Sequence, residues 1–256
     1  MCEYQFQDGS FCQEENFESA DYCILHIDLP LDVDSSEWRN ISELKQKKVE
    51  EYCQIKKNNF EGAKFGKISF YNITFQDAKF TGARFQKAYF LWVTFNGFTF
   101  FDNCSFNREC FFMHSTFIDT VYFSGSTFRW MTSFQNTIFE DSAIFVKTKF
   151  DIVNFSEAIF HENGLFIESQ IDNGHFNGTV INKATFNKSV FNCNIEFKNC
   201  LISNSLDFFN TQFEKNVSIE NILFEENSEL KISLNFNQAK IDGVFSILNC
   251  NFIENS

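Results

Sequence analysis

The sequence predicts an all-β solenoid, and three observations predict it. First, a phenylalanine stands at every fifth position from Phe60 to Phe100, and five is the period of neither a helix nor a strand. Beyond Phe100 the steps alternate between six and five through Phe106, Phe112, Phe117, Phe123, Phe128, Phe134 and Phe139. The rhythm continues to Phe252, with Ile171, Ile181, Ile202, Ile219, Leu230, Ile241 and Ile247 replacing Phe at some units. Second, most units carry a small side chain two residues earlier, as at Ala63, Ala83, Cys104, Cys110, Ser115, Ser126, Ala143, Cys200 and Cys250. Third, 38 Phe against one Pro and 10 Gly in 256 residues is the composition of one core-packing solution used repeatedly.

Within a unit, a spacing of two puts the small residue and the Phe on the same side of an extended segment. The remaining step of three cannot continue that alternation and must contain a corner. Each unit is therefore one short side and one turn. The residues between, such as Lys64, Gln76, Asp77, Lys79, Thr81, Gly82 and Arg84, are polar or turn-tolerant, as an outward side and a corner require.

These residues resemble the pentapeptide-repeat proteins, whose consensus places Phe or Leu at a central position with a small residue two before it. The resemblance covers roughly residues 58 to 254. It implies that four units close one coil of a right-handed quadrilateral β-helix, with residues 58–256 as the solenoid. Nine coils about 4.8 Å apart would make a rod on the order of 45 Å long. The six-residue steps read as single-residue insertions at a corner or bulge, enlarging a coil from 20 to about 22 residues. Stacked Phe rings would fill the interior, each contributing roughly 2 to 3 kcal/mol of burial. Cys104, Cys110, Cys200 and Cys250 fall at the inward small position and read as buried structural thiols; Cys53 and Cys193 lie off that register.

A solenoid has open ends that need caps. Residues 31–57 read as a linker and a capping helix, with Trp38, Ile41, Leu44, Val49, Tyr52 and Ile55 near helical spacing and Asp34 with Glu37 as a capping box. At the other end no helix follows the repeat, so the C-terminal coil is either a homodimerisation surface or a frayed end blunted by polar residues. Residues 1–30 hold Cys2, Cys12, Cys23 and His26, the last two as a C-x₂-H pair. Three thiolates and an imidazole suit tetrahedral Zn²⁺, which would supply the folding energy that so short a segment lacks. The competing reading is three incidental cysteines in a flexible arm. The arrangement looks like the short Cys₃His modules preceding some pentapeptide-repeat regions, and four ligands with no spare position imply a structural zinc.

Function is less legible than fold. His114, His161 and His175 belong to no nucleophile or zinc-protease motif, and no phosphate-binding Gly loop or G-x-S-x-G is present. A rod with a filled interior also lacks a catalytic cleft, so a non-enzyme is expected. No apolar run approaches 18 residues and no secretory leader is recognisable, so a soluble cytoplasmic protein without a membrane span is expected. About half of the formal net charge of −13 lies in the first 58 residues, leaving the repeat mildly acidic. That acidity argues against nucleic-acid binding.

If every fourth unit shares a face, one face carries Lys64, Lys67, Arg84, Lys87, Arg108 and Arg129. The next carries Tyr71, Tyr89, Leu91, Trp92, Met113 and His114, with Trp130 beside the basic row. A third collects Asp77, Asp119, Glu140, Asp141, Glu162, Glu225 and Glu226. Aromatic residues, Met and Arg are enriched in interface cores, so the first two faces suggest a protein-binding scaffold. Alternatively the outward aromatics merely cover corners or pack beneath the N-terminal module. The resemblance supplies a second function: some pentapeptide-repeat proteins mimic duplex DNA and bind a type II topoisomerase such as gyrase, a role that calls on the acidic face.

Overall fold

A corner at every unit prevents long strands, so the chain satisfies its backbone by parallel pairing between successive coils. The structure is a computed structural model that describes residues 1–226 and 233–254. Strand Lys64–Tyr71 pairs in parallel with Arg84–Leu91, setting Phe65 opposite Phe85 and Phe70 opposite Phe90. Repetition of this step builds two parallel sheets of 14 and 13 strands, each with a central path of nine. The architecture is a β-solenoid with one helix at its N-terminal end.

Four ladders of inward side chains fill the interior. On the first face Phe60, Phe80, Phe101, Phe123, Phe145, Phe166, Phe186, Phe208 and Phe236 stack with centroids 4.7 to 5.1 Å apart. The second, third and fourth faces begin at Phe65, Phe70 and Phe75 and repeat the arrangement. Rings on opposite faces meet edge to face, as Phe101 does with Phe112 at 5.4 Å and 81°, so both favoured aromatic geometries occur in the interior.

The inward small residues do more than leave room. Ser115, Ser126, Thr137, Thr148, Ser169, Thr179, Ser189 and Thr211 each donate a hydroxyl hydrogen to a Phe carbonyl of the preceding coil. Buried carbonyls at the corners are thereby satisfied. Cys104 and Cys200 occupy the same position and turn their thiols toward Phe80 O and Phe176 O. With Cys110 they are buried, as expected, whereas Cys250 is half-exposed on the last coil.

Two features of the register differ from expectation. Phe100 faces outward and stacks on Tyr122 (5.1 Å, 7°), while its neighbour Phe101 is fully buried. The first six-residue step therefore lies between Phe95 and Phe101, with buried Thr99 in the small position. The second difference is near the C-terminus, where Leu206 pairs with Leu234 in a coil of 28 residues. Phe236 then stacks on Phe208, Ile241 pairs with Phe213 and Ile247 with Ile219. Counting Leu230 as a whole side would have set each of these one face away. Leu230 itself lies outside the described residues, as do the side chains of Glu225, Glu226 and Phe252. Coils elsewhere grow from 20 residues, Thr74 to Thr94, to 22, Thr94 to Thr116, as the insertions predict. Ile247 aligns with the core ladder yet is 48% exposed, because no described residue stacks on the last coil.

The helix, Ser36–Gln54, covers the first coil. Its N-cap is Ser35, whose Oγ accepts the Trp38 amide, not the expected Asp34 and Glu37 pair. The edge strand Lys64–Tyr71 is closed by side chains: Ser42 Oγ accepts Lys67 N, and Gln46 Oε1 accepts Ser69 N. Leu25 O accepts Lys64 N. The helix face against the rod is consequently polar as well as apolar, burying Ser42 and Lys45 with Val49 and Tyr52, while Ile55 is exposed. Gly66 permits this approach, since a Cβ there would lie 2.4 Å from Ser42 Oγ. No described helix is long and apolar enough to cross a membrane.

Candidate metal centre and exposed faces

The four N-terminal candidates converge. A turn around Gly9 (φ +85°) folds residues 2–14 back on themselves, with Phe6 N donating to Ser10 O and Cys12 N to Tyr4 O. This brings Cys2 beside Cys12. A second turn, in which His26 N and Ile27 N both donate to Cys23 O, makes the C-x₂-H spacing converge. The three Sγ atoms and the imidazole lie within 4.8 Å of one another, and all four residues are buried. The group can hold a metal ion.

Bond lengths of about 2.3 Å to sulfur and 2.0 to 2.1 Å to nitrogen imply tetrahedral edges of roughly 3.8 Å between sulfurs and 3.5 Å between sulfur and nitrogen. The separations are 3.9 Å for Cys12 to Cys23, and 3.4 and 3.2 Å from His26 Nδ1 to Cys2 and Cys23. The donor set therefore fits. His26 Nε2 donates to Glu61 O at 3.0 Å, which fixes the tautomer and leaves Nδ1 free to ligate. Burial pulls the imidazole down to about 4, keeping it neutral, and pushes the Cys23 thiol up to about 12.

Supporting contacts tie this cluster to the rod. The Tyr4 ring stacks on His26 (4.0 Å, 11°) and lies over Gly62, where an added Cβ would sit 2.0 Å from the Tyr4 hydroxyl. Lys45, fully buried, donates to Ile24 O, Leu25 O and Ile27 O, and burial lowers its ammonium to about 7. Glu14 receives Lys57 at 2.6 Å and Lys48 at 2.9 Å; although burial opposes ionisation, these partners take its carboxyl to about 2. Module, helix and first coil form one packed unit.

The exposed faces are partly as expected. Tyr71, Trp92 and His114 line one corner, with Tyr71 edge-on to Trp92 (5.5 Å) and Trp92 stacked on His114 (4.8 Å, 9°). Tyr89 packs on Phe111, and Met113 and Leu91 are half-buried. Trp130 stands apart, 61% exposed, at a break in register between Phe128 and Met131. Trp92 and Trp130 both have positive φ, +54° and +82°. The basic row is interrupted: Lys64 pairs with Asp28 (2.9 Å) and Lys87 with Glu109 (3.2 Å), while Lys67 lies over the Tyr89 ring. Arg84, Arg108 and Arg129 are exposed. Glu109 comes beside Lys87 because Ala88 pairs with Cys110, which puts the extra residue of the Phe106-to-Phe112 step before that pair, a placement the step length alone does not give. Asp77, Asp119, Asp141 and Glu162 share the corner leading from the fourth face to the first.

Residues 59–97 match the family described as pentapeptide repeats (8 copies), and residues 123–170 match pentapeptide repeats (9 copies). The two matched stretches, which are similar to pentapeptide repeats, both lie within the solenoid. Among solved structures the chain is similar to HetL, a pentapeptide repeat protein involved in heterocyst differentiation regulation from the cyanobacterium Nostoc sp. strain PCC 7120. That similarity is at 10% identity and a TM-score of 0.20, covering 77% of this chain and 93% of that one. No curated protein matches the chain.

Proposed function

We propose that this protein is a non-catalytic, rigid scaffold of the cytoplasm that binds another protein through the Tyr71, Trp92 and His114 corner and the neighbouring cations Lys67, Arg84, Lys87, Arg108 and Arg129. Tyr89, Met113 and Trp130 complete the surface. The observation that carries this reading is the conformation of its two exposed indoles. A bulky residue at positive φ costs on the order of 1 to 3 kcal/mol, and neither Trp92 nor Trp130 recovers it by entering the core. Other coils put Asn72 and Asn136 at the Trp92 corner, which tolerate that backbone more readily. In the same reading the Cys2, Cys12, Cys23 and His26 cluster holds a structural Zn²⁺, and nucleic acid is not the partner.

The test is affinity capture from host lysate with the intact protein and with a Trp92→Ala, Arg108→Glu double variant. Both positions are exposed, so the variant is expected to melt with the wild type and to lose the partner. Undiminished capture by the folded variant would sink the proposal. Recovery of a gyrase subunit, retained in this variant and lost on neutralising Asp119 and Asp141, would favour the DNA-mimic alternative.

A homodimer through the C-terminal coil belongs to the same proposal, supported by Val244, Phe245, Ile247 and Leu248, which are exposed among the described residues. Light scattering is expected to give twice 30.0 kDa, falling to the monomer in Phe245→Asp. A wild-type monomer at all concentrations would exclude it.

A further inference from the structure

The first face carries an outward apolar stripe, of which only Phe100 had been expected in the core. Pairing sets Phe100 opposite Tyr122, Tyr122 opposite Ile144, and Ile144 opposite Leu165, in four consecutive coils. All four side chains are half-exposed. The stripe has ends: Lys79 precedes Phe100 and Thr185 follows Leu165. One flank is acidic, since Asp119, Asp141 and Glu162 occupy the adjoining corner of the same coils. The opposite flank is balanced, with Lys147 paired to Glu168 at 3.7 Å. A concavity of about 560 Å³ opens there beneath Gln7 of the N-terminal module, reaching Phe100 and Val146. None of this belongs to the Trp92 surface, whose Tyr71 and Tyr89 lie on strands of the other sheet.

We propose that this face binds a cationic amphipathic helix of a partner protein. Four rungs at about 4.8 Å span roughly 15 to 20 Å, the length of about three helical turns. Apolar neighbours on a helix at i, i+3 and i+4 are about 5 to 6 Å apart, close to the rung spacing. A ridge of such residues lies along the stripe, and Lys or Arg on one side of that ridge meets Asp119, Asp141 and Glu162. The one-sided acid rim sets the orientation of the helix about its axis, and the step down at Gln7 limits its length at one end.

The probe is a fluorescent Leu/Lys peptide of about 15 residues with i, i+3, i+4, i+7 patterning, and its scrambled isomer is the control. Binding to the full-length protein is read by anisotropy and by the helical circular dichroism that the peptide gains. The patterned peptide is expected to bind and the scrambled one to fail. Ile144→Ser with Leu165→Ser should weaken binding about tenfold or more through lost apolar burial. Asp141→Asn with Glu162→Gln should weaken it and flatten its salt dependence. Trp92→Ala should leave it unchanged, so this surface and the one proposed above fail or survive separately. Equal binding of the scrambled peptide, or unaltered binding by either folded pair of variants, overturns the proposal. So does stripe-dependent binding to phosphatidylcholine vesicles in preference to the peptide, which would make the face a lipid surface.

Discussion

Cys23→Ala is expected to abolish metal uptake and to release residues 1–27 from the rod, the largest effect of any single substitution considered. A structural zinc contributes apparent binding energy on the order of 10 kcal/mol to the segment that it organises, and three remaining ligands leave an open position. Metal content by mass spectrometry should fall from one equivalent to near zero. Proteolysis should then begin near residue 30 while residues 58–224 stay resistant. A full equivalent of metal in the variant would refute the ligand assignment. In the wild type, uptake should strengthen as pH rises from 6 to 8. Burial holds the Cys12 and Cys23 thiols above their ordinary range, so they are protonated before metal arrives and must release those protons to bind it. Chelator competition at the two pH values gives the sign, and a pH-independent affinity would contradict it.

The second large effect separates two neighbours. Phe101→Ala is expected to cost about 3 to 5 kcal/mol, because the ring is fully buried, stacked 4.7 Å from Phe80 and 5.1 Å from Phe123. Phe100→Ala removes the same atoms from a half-exposed site and should cost about 1 kcal/mol or less. Urea unfolding of the two variants measures the difference directly. Equal losses, or the reverse order, would show the coil to be registered on Phe100.

The same pair shows why part of the fold was unreadable from the sequence. In Phe98, Thr99, Phe100 and Phe101, a step of five and a step of six both land on Phe, and only the pairing of whole coils selects one. The ladders away from such ambiguities were legible because a Phe every five or six residues admits few other structures. The convergence of Cys2, Cys12, Cys23 and His26 was also legible, since these are donor types that can hold a metal ion. Lys45 and Glu61 were not: a buried lysine on an amphipathic helix looks like a solvated one, and Glu61 holds His26 with a carbonyl that its residue type does not reveal. The role of Ser and Thr at the inward small position, donating to carbonyls one coil back, likewise requires the closed coil.

The placement of the three tryptophans also divides the protein's optical signals. Trp38 sits on the capping helix and Trp92 and Trp130 on corners, while the aromatic rings buried inside the rod are phenylalanines. Indole emission therefore reports on the cap and the outer corners and is nearly blind to the core, whose weak short-wavelength absorbance follows the ladders. A titration watched at the indole band and a melt watched in the phenylalanine band would observe two different parts of one rod without any label being attached.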